Sequence, residues 1–150
     1  MMKTGKLSIL FLFGLFFVFI GCQQDIIGTE IPADKRISLV KGSPQTGTWK
    51  TFDYEMKYTY RYTQPQEGAP GSLEFSASLE ASSGGLDSLA ISIYLLDGNG
   101  RVLKIESLYD SGYKESRYFH DRSFTVTLAT PPETAGISFT HTSQRSRGHK

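Results

Sequence analysis

Cys22 is the one cysteine in the 150-residue chain, and it follows Gly21 at the end of an apolar run. A thiol can serve as nucleophile, metal ligand, disulfide partner or acyl acceptor. A lone cysteine excludes an intrachain disulfide. The three histidines, His120, His141 and His149, form no close-spaced ligand cluster of the kind zinc requires. Asp97-Gly98-Asn99-Gly100-Arg101 opens like a calcium loop. However, Arg101 and Leu108 stand at its fifth and twelfth positions, where oxygen ligands are needed, so it reads as a hairpin turn. His120 and Asp121 could orient one another, but no motif supplies a nucleophile. No glycine-rich phosphate loop leads from a strand into a helix. These residues predict no metal, no cofactor and no catalytic residues, hence not an enzyme. Acyl acceptance at Cys22 is the chemistry that remains.

The surroundings of Cys22 favour that chemistry. Lys3 and Lys6 form a basic head, and Leu7 to Ile20 is an almost unbroken apolar run of 14 residues. A membrane-spanning helix needs about 20. A basic head, a short apolar run and a small residue before an abrupt change of composition are the layout of an export signal. Ordinary signal cleavage after Gly21 would require a small residue where Phe19 stands. Phe19-Ile20-Gly21-Cys22 resembles the lipobox of bacterial lipoproteins, with Phe in place of the usual Leu. The resemblance covers the first 22 residues. It implies a diacylglycerol on the Cys22 sulfur, cleavage before Cys22, and a membrane partner engaged through acyl chains. Two or more chains hold a protein stably where one does not. Gln23 resembles the outer-membrane sorting state if the source is Gram-negative, which implies a lipid-anchored location in the cell envelope. The alternatives are an uncleaved anchor or an ordinary secreted protein.

Cleavage would leave Cys22 to Lys150, 129 residues with 14 basic and 15 acidic side chains and a net charge of −1. That length suits one domain with a true core. The charge balance argues against nucleic acid as a partner. Residues 22–45, punctuated by Gly28, Pro32, Gly42 and Pro44, read as a tether, in which Ile37 to Val40 could pair at a sheet edge. Residues 46–143 read as the domain and 144–150 as a basic tail.

The domain has the strand period throughout. From Thr51 to Thr63, Phe52, Tyr54, Met56, Tyr58, Tyr60 and Tyr62 alternate with polar residues, which predicts one apolar and one wet face. Such a row is a core face or, alternatively, a platform for stacking on sugars. Trp49 is out of step with it, which predicts a bend near Lys50-Thr51. Leu73 to Ala81 alternates in the same way. Leu89–Asp97 and Arg101–Tyr109 predict a hairpin around Gly98-Asn99-Gly100. A three-residue loop with Gly100 left-handed would put Leu95 opposite Leu103, Ile93 opposite Ile105, and Asp97 opposite Arg101. Phe124 to Leu128 and Ile137 to His141 supply the last strands. The expected fold is all-β, an antiparallel β-sandwich or jelly roll of about six to eight strands.

Between Tyr109 and Phe119 the alternation fails. Tyr109, Tyr113, Arg117, Tyr118 and Phe119 combine rigid rings with a forked cation, a composition suited to recognition. These five are the candidate partner-binding residues. The bland reading is that the rings cap one end of the sandwich. The expected function is a membrane-anchored binding or scaffolding module whose partner is an envelope protein or glycan. The alternatives are a carbohydrate-binding surface module or an inhibitor of an envelope enzyme.

Overall fold

The computed structural model describes residues 26–67, 69–81, 86–112 and 122–145. They form two antiparallel four-stranded sheets packed face to face, an eight-stranded β-sandwich. One sheet has the order β1 (Ile37–Ser38), β8 (Gly136–Arg145), β5 (Leu86–Leu96), β6 (Val102–Asp110). The other runs β2 (Gln45–Lys50), β3 (Tyr54–Thr63), β4 (Gly71–Ala81), β7 (Arg122–Thr130).

The tyrosine row of β3 is core. Tyr54, Met56, Tyr58, Tyr60 and Tyr62 are all buried. They pair in register with Ala81, Leu79, Ala77, Phe75 and Leu73 of β4. Directly opposed residues share a face, so the register puts both apolar rows on the inner side. Leu89, Ile91, Ile93 and Leu95 of β5 supply the facing layer, each fully buried. Full burial of each large side chain contributes about 1.5–3 kcal/mol. Phenol groups in such a core need acceptors. The Tyr62 hydroxyl donates to the Thr134 carbonyl at 2.9 Å, and the Tyr60 hydroxyl to the Ser38 carbonyl at 3.2 Å. The second bond ties one sheet to the other, and the first ties β3 to the turn between β7 and β8.

Phe52 leaves the row it was expected to lead. The strand begins at Tyr54, and Phe52 is 81% exposed. The bend anticipated near Lys50-Thr51 is a tight hairpin turn. Thr51 N–H donates to the Tyr54 carbonyl at 2.9 Å, and Thr51 Oγ1 accepts from the Asp53 and Tyr54 amides at 3.2 and 3.1 Å. Trp49 therefore belongs to β2, paired with Met56 and facing the same core. At Gly47 the Tyr58 ring lies across the backbone, in the space that a Cβ would fill. A close cross-strand approach of this kind requires glycine.

The β5–β6 hairpin has the expected three-residue loop but not the expected register. Asp97 N–H donates to the Arg101 carbonyl at 2.9 Å, and Gly100 has φ +82°. Beyond the loop, Leu96 pairs with Val102, while Leu95 pairs with Lys104, not Leu103, and Ile93 with Glu106, not Ile105. Leu103 is the extra residue of a bulge. Matching apolar partners fails as a criterion here because β6 is an edge strand. Inner-face positions at the margin of a sheet let long charged side chains reach water, and Lys104 and Glu106 form an ion pair there. Leu96 and Val102 are both buried on the opposite face.

The described part of the 22–45 segment is laid along the sandwich and does not hang from it. Gly28 N–H donates to the Val102 carbonyl at 2.7 Å, Ile31 N–H to the Gly100 carbonyl at 2.9 Å, and Leu39 N–H to the Ala135 carbonyl at 2.9 Å. Ile37–Ser38 pairs with β8 at the sheet edge. Arg36 pins this strap through Nε to the Ile31 carbonyl and through an ion pair with Glu30 at 2.6 Å. Its guanidinium rests where a Cβ on Gly100 would stand. Gln144 and Arg145, expected in the tail, extend β8.

Candidate functional site

The sandwich has two lateral sides, and the sequence builds them differently. On the β6–β7 side, Tyr109 stacks on Phe124 with ring centroids 5.5 Å apart, and Phe124 in turn stacks on Phe75 at 6.3 Å. The Lys104–Glu106 pair lies on the inner face of the same edge. On the other side β1 is only two residues long, so among the described residues no strand flanks the outer edge of β8 beyond Ile137. Among the described residues the facing edge, β2, has no second strand partner either.

A cleft of about 490 Å³ opens between those two edges. Trp49, Phe139 and His141 line its interior, and the strap residues Asp34 to Arg36 form one wall. Trp49 organises the rings: its centroid lies 5.2 Å from Phe139, 5.8 Å from Tyr54 and 5.6 Å from His141. His141 also meets Tyr54 edge-on at 5.3 Å. Edge-to-face geometry matches the positive rim of one ring to the negative face of another. Trp49, Phe139 and His141 are half-buried, so each keeps some surface in the cleft. Its volume falls in the range of small-molecule pockets, and charged and hydroxyl side chains (Asp34, Lys35, Arg36, Thr48, Thr51 and Ser138) share its lining with the rings.

Tyr54 is fully buried, and among the described residues its hydroxyl has no hydrogen-bond partner. Burial, reinforced by the nearby Asp53 charge, pushes that phenol far above its ordinary range and keeps it neutral. Asp53 closes the end of the sandwich nearest the β2–β3 turn, accepting from Ser143 Oγ at 2.6 Å and from Arg145 Nε at 2.6 Å. The Ser143 hydrogen bond, then the Arg145 guanidinium, hold its carboxyl below the usual carboxylate range. Arg145 also lies 4.5 Å from the centre of the Phe52 ring.

A second, shallow depression of about 560 Å³ lies over the β2–β3–β4–β7 sheet. Its outer surface carries a rung of four hydroxyls in register, Thr46, Thr59, Ser76 and Thr125. Ser76 and Thr125 hydrogen-bond to each other at 3.0 Å. This depression is open, with Tyr58 and Phe124 among its lining residues beside the hydroxyls.

Of the candidate residues named from sequence, Tyr109 is half-buried against Phe124 with its hydroxyl buried, so it packs the closed side. Cys22, Tyr113, Arg117, Tyr118 and Phe119 lie outside the described residues, as do His120, Asp121 and His149. The Asp97 carboxylate accepts from the Asn99 and Arg101 amides at 2.8 and 2.9 Å, the geometry of a turn. Among the described residues no group of three His, Cys, Asp or Glu side chains could hold a metal ion. The cleft was missed from sequence. Its one signal was Trp49, out of step with β3.

An all-β sandwich with an aromatic cleft between two sheet edges defines the class of this molecule. No family model, curated protein or solved structure matches the chain.

Proposed function

We propose that this chain is a lipid-anchored β-sandwich of the cell envelope that binds a protein partner, with the cleft between β2 and β8 as its seat. The observation that carries the reading is the pairing of half-buried Trp49 and Phe139 with two flanking strand edges that lack partner strands among the described residues. An extended segment of a partner can add to such an edge through its backbone while seating an apolar side chain among the rings. Binding, not chemical conversion, is the role assigned. The anchor half of the reading rests on the lipobox-like Phe19-Ile20-Gly21-Cys22.

A second reading places a glycan in the same cleft, favoured by the exposed parts of Trp49 and Phe139. Stacking on rings would hold a sugar without any strand addition.

The test has two parts. Cys22→Ser should abolish fatty-acid labelling and leave a soluble or uncleaved chain; labelling that persists contradicts the anchor. Affinity capture from native envelope, followed by mass spectrometry, should recover a protein whose retention falls at least tenfold with Trp49→Ala or Phe139→Ala and not with Phe52→Ala. Equal retention by all variants contradicts the cleft. Retention competed away by soluble oligosaccharides would favour the glycan.

A further inference from the structure

We infer that the strap end of the sandwich rests directly on the lipid bilayer, with Ile26 and Ile27 in the membrane interface. The inference depends on acylation of Cys22 and goes beyond it: an acylated cysteine by itself allows a domain to float on a long spacer.

The geometry removes that spacer. Gly28 N–H donates to the Val102 carbonyl at 2.7 Å, and Val102 N–H returns a bond to the Thr29 carbonyl at 3.0 Å. Ile31 continues the pairing to Gly100, and Glu30 bridges to Arg101. The chain is thus fixed to the sandwich from Gly28 onward. Six peptide steps separate Cys22 from Gly28, a reach of about 20 Å at full extension. An acyl chain on Cys22 would be buried in hydrocarbon, with the cysteine at the interface. Residue 28 and the β5–β6 turn it grips then stay within about 20 Å of that interface.

The residues at this junction suit such a place. Ile26 is 36% exposed and Ile27 is 50% exposed, two adjacent large apolar side chains just before the grip. Val40, farther along the strap, is 46% exposed. Apolar side chains beside an acyl anchor gain by entering the interface and add to its hold. Charge does not drive the contact: Glu30, Glu67 and Glu133 accompany Lys41 and Arg101 around the same end, all exposed. Docking should therefore depend little on anionic lipid.

Antiparallel topology sends the other end outward. β3 runs for ten residues from the Phe52 turn to Thr63, so Phe52 stands about 30 Å from the strap end. Phe52, Asp53 and Arg145 then point away from the membrane, and the cleft opens sideways.

The test uses the full chain, processed in its own membrane and purified in detergent, with its mass recorded. Cysteines placed as Ile27→Cys or Phe52→Cys are spin-labelled after reconstitution into phosphatidylethanolamine–phosphatidylglycerol vesicles. The label at 27 should collide several-fold more with lipid-soluble oxygen, relative to a water-soluble nickel chelate, than the label at 52. The ratio should hold when phosphatidylcholine replaces phosphatidylglycerol. Equal ratios at 27 and 52 on a chain whose mass shows the lipid overturn the docking and leave the anchor standing. A mass without lipid on Cys22 overturns both.

Discussion

The two lateral sides of the sandwich use similar residues to opposite ends. Toward β6 and β7, Tyr109, Phe124 and Phe75 stack successively and fill the gap between the sheets. Toward β1 and β2, Trp49, Phe139 and His141 meet at angles and leave a cleft. The difference lies in the edges. On the first side the inner-face Lys104–Glu106 pair makes β6 a poor template for another strand, since inward-pointing charge blocks edge pairing. On the second, β1 ends after two residues, and no other strand among the described residues covers the outer edge of β8. Ring content is therefore similar on the two sides, and the state of the adjacent strand edge is what distinguishes them.

Phe75 lies between the two sides, fully buried, with centroids 5.5 Å from Tyr58, 6.3 Å from Phe124 and 5.7 Å from Phe139. Phe75→Ala should remove the shared wall and destabilise the fold by about 3–5 kcal/mol in urea unfolding. Both sides should loosen together, seen as faster amide exchange in β2 and in β7. Loosening of one side alone would show that the two ring sets are independent.

Asp53 offers a smaller, pH-dependent test at the end of the cleft side. Its carboxyl is held below the ordinary range by Ser143 and Arg145. A depressed folded value means that its stabilisation is fully present above the unfolded value of about 3.9 and is lost as pH falls through the folded value. Asp53→Asn should cost about 1 kcal/mol at pH 7. The gap from the unmutated chain should close in strongly acidic solution, below about pH 4. A gap constant across that range would show that the clamp is not ionic.

The smallest effect on stability belongs to the closed side. Lys104 and Glu106 are half-exposed, with side-chain exposures of 45% and 29%. Replacing both with Val should change stability by no more than about 1 kcal/mol. It should nevertheless make β6 associate, detectable as concentration-dependent dimers by sedimentation. A chain that stays monomeric would remove the role assigned to the charge pair.

How much of this was legible follows from how local each feature is. The β3 row declares itself because period two is written into consecutive residues, and β4 repeats it in register. Phe52 broke the pattern because Thr51 caps a tight turn, and its hydroxyl competes for amides that a strand would have used. The Leu95–Lys104 pairing was hidden because an apolar match is a sound guide in a central strand and a poor one at an edge. The strap was read as a tether from Gly28, Pro32 and Gly42, yet the amides of Gly28, Ile31 and Leu39 bond to residues about 70 or more positions away. The cleft was least legible. It joins residues 34–36, 49, 139 and 141, drawn from both sheets, and no spacing in the sequence brings them together.

Trp49 is the only tryptophan in the chain and lies in the cleft, so it reports directly on the central claim. Chain grown with 5-fluorotryptophan should give one ¹⁹F resonance. Adding the unlabelled partner recovered from the envelope should shift or broaden that resonance in proportion to the bound fraction. A partner that binds fully, by sedimentation of the same sample, while the Trp49 resonance keeps its position and width would contradict the assignment of the cleft as the binding seat.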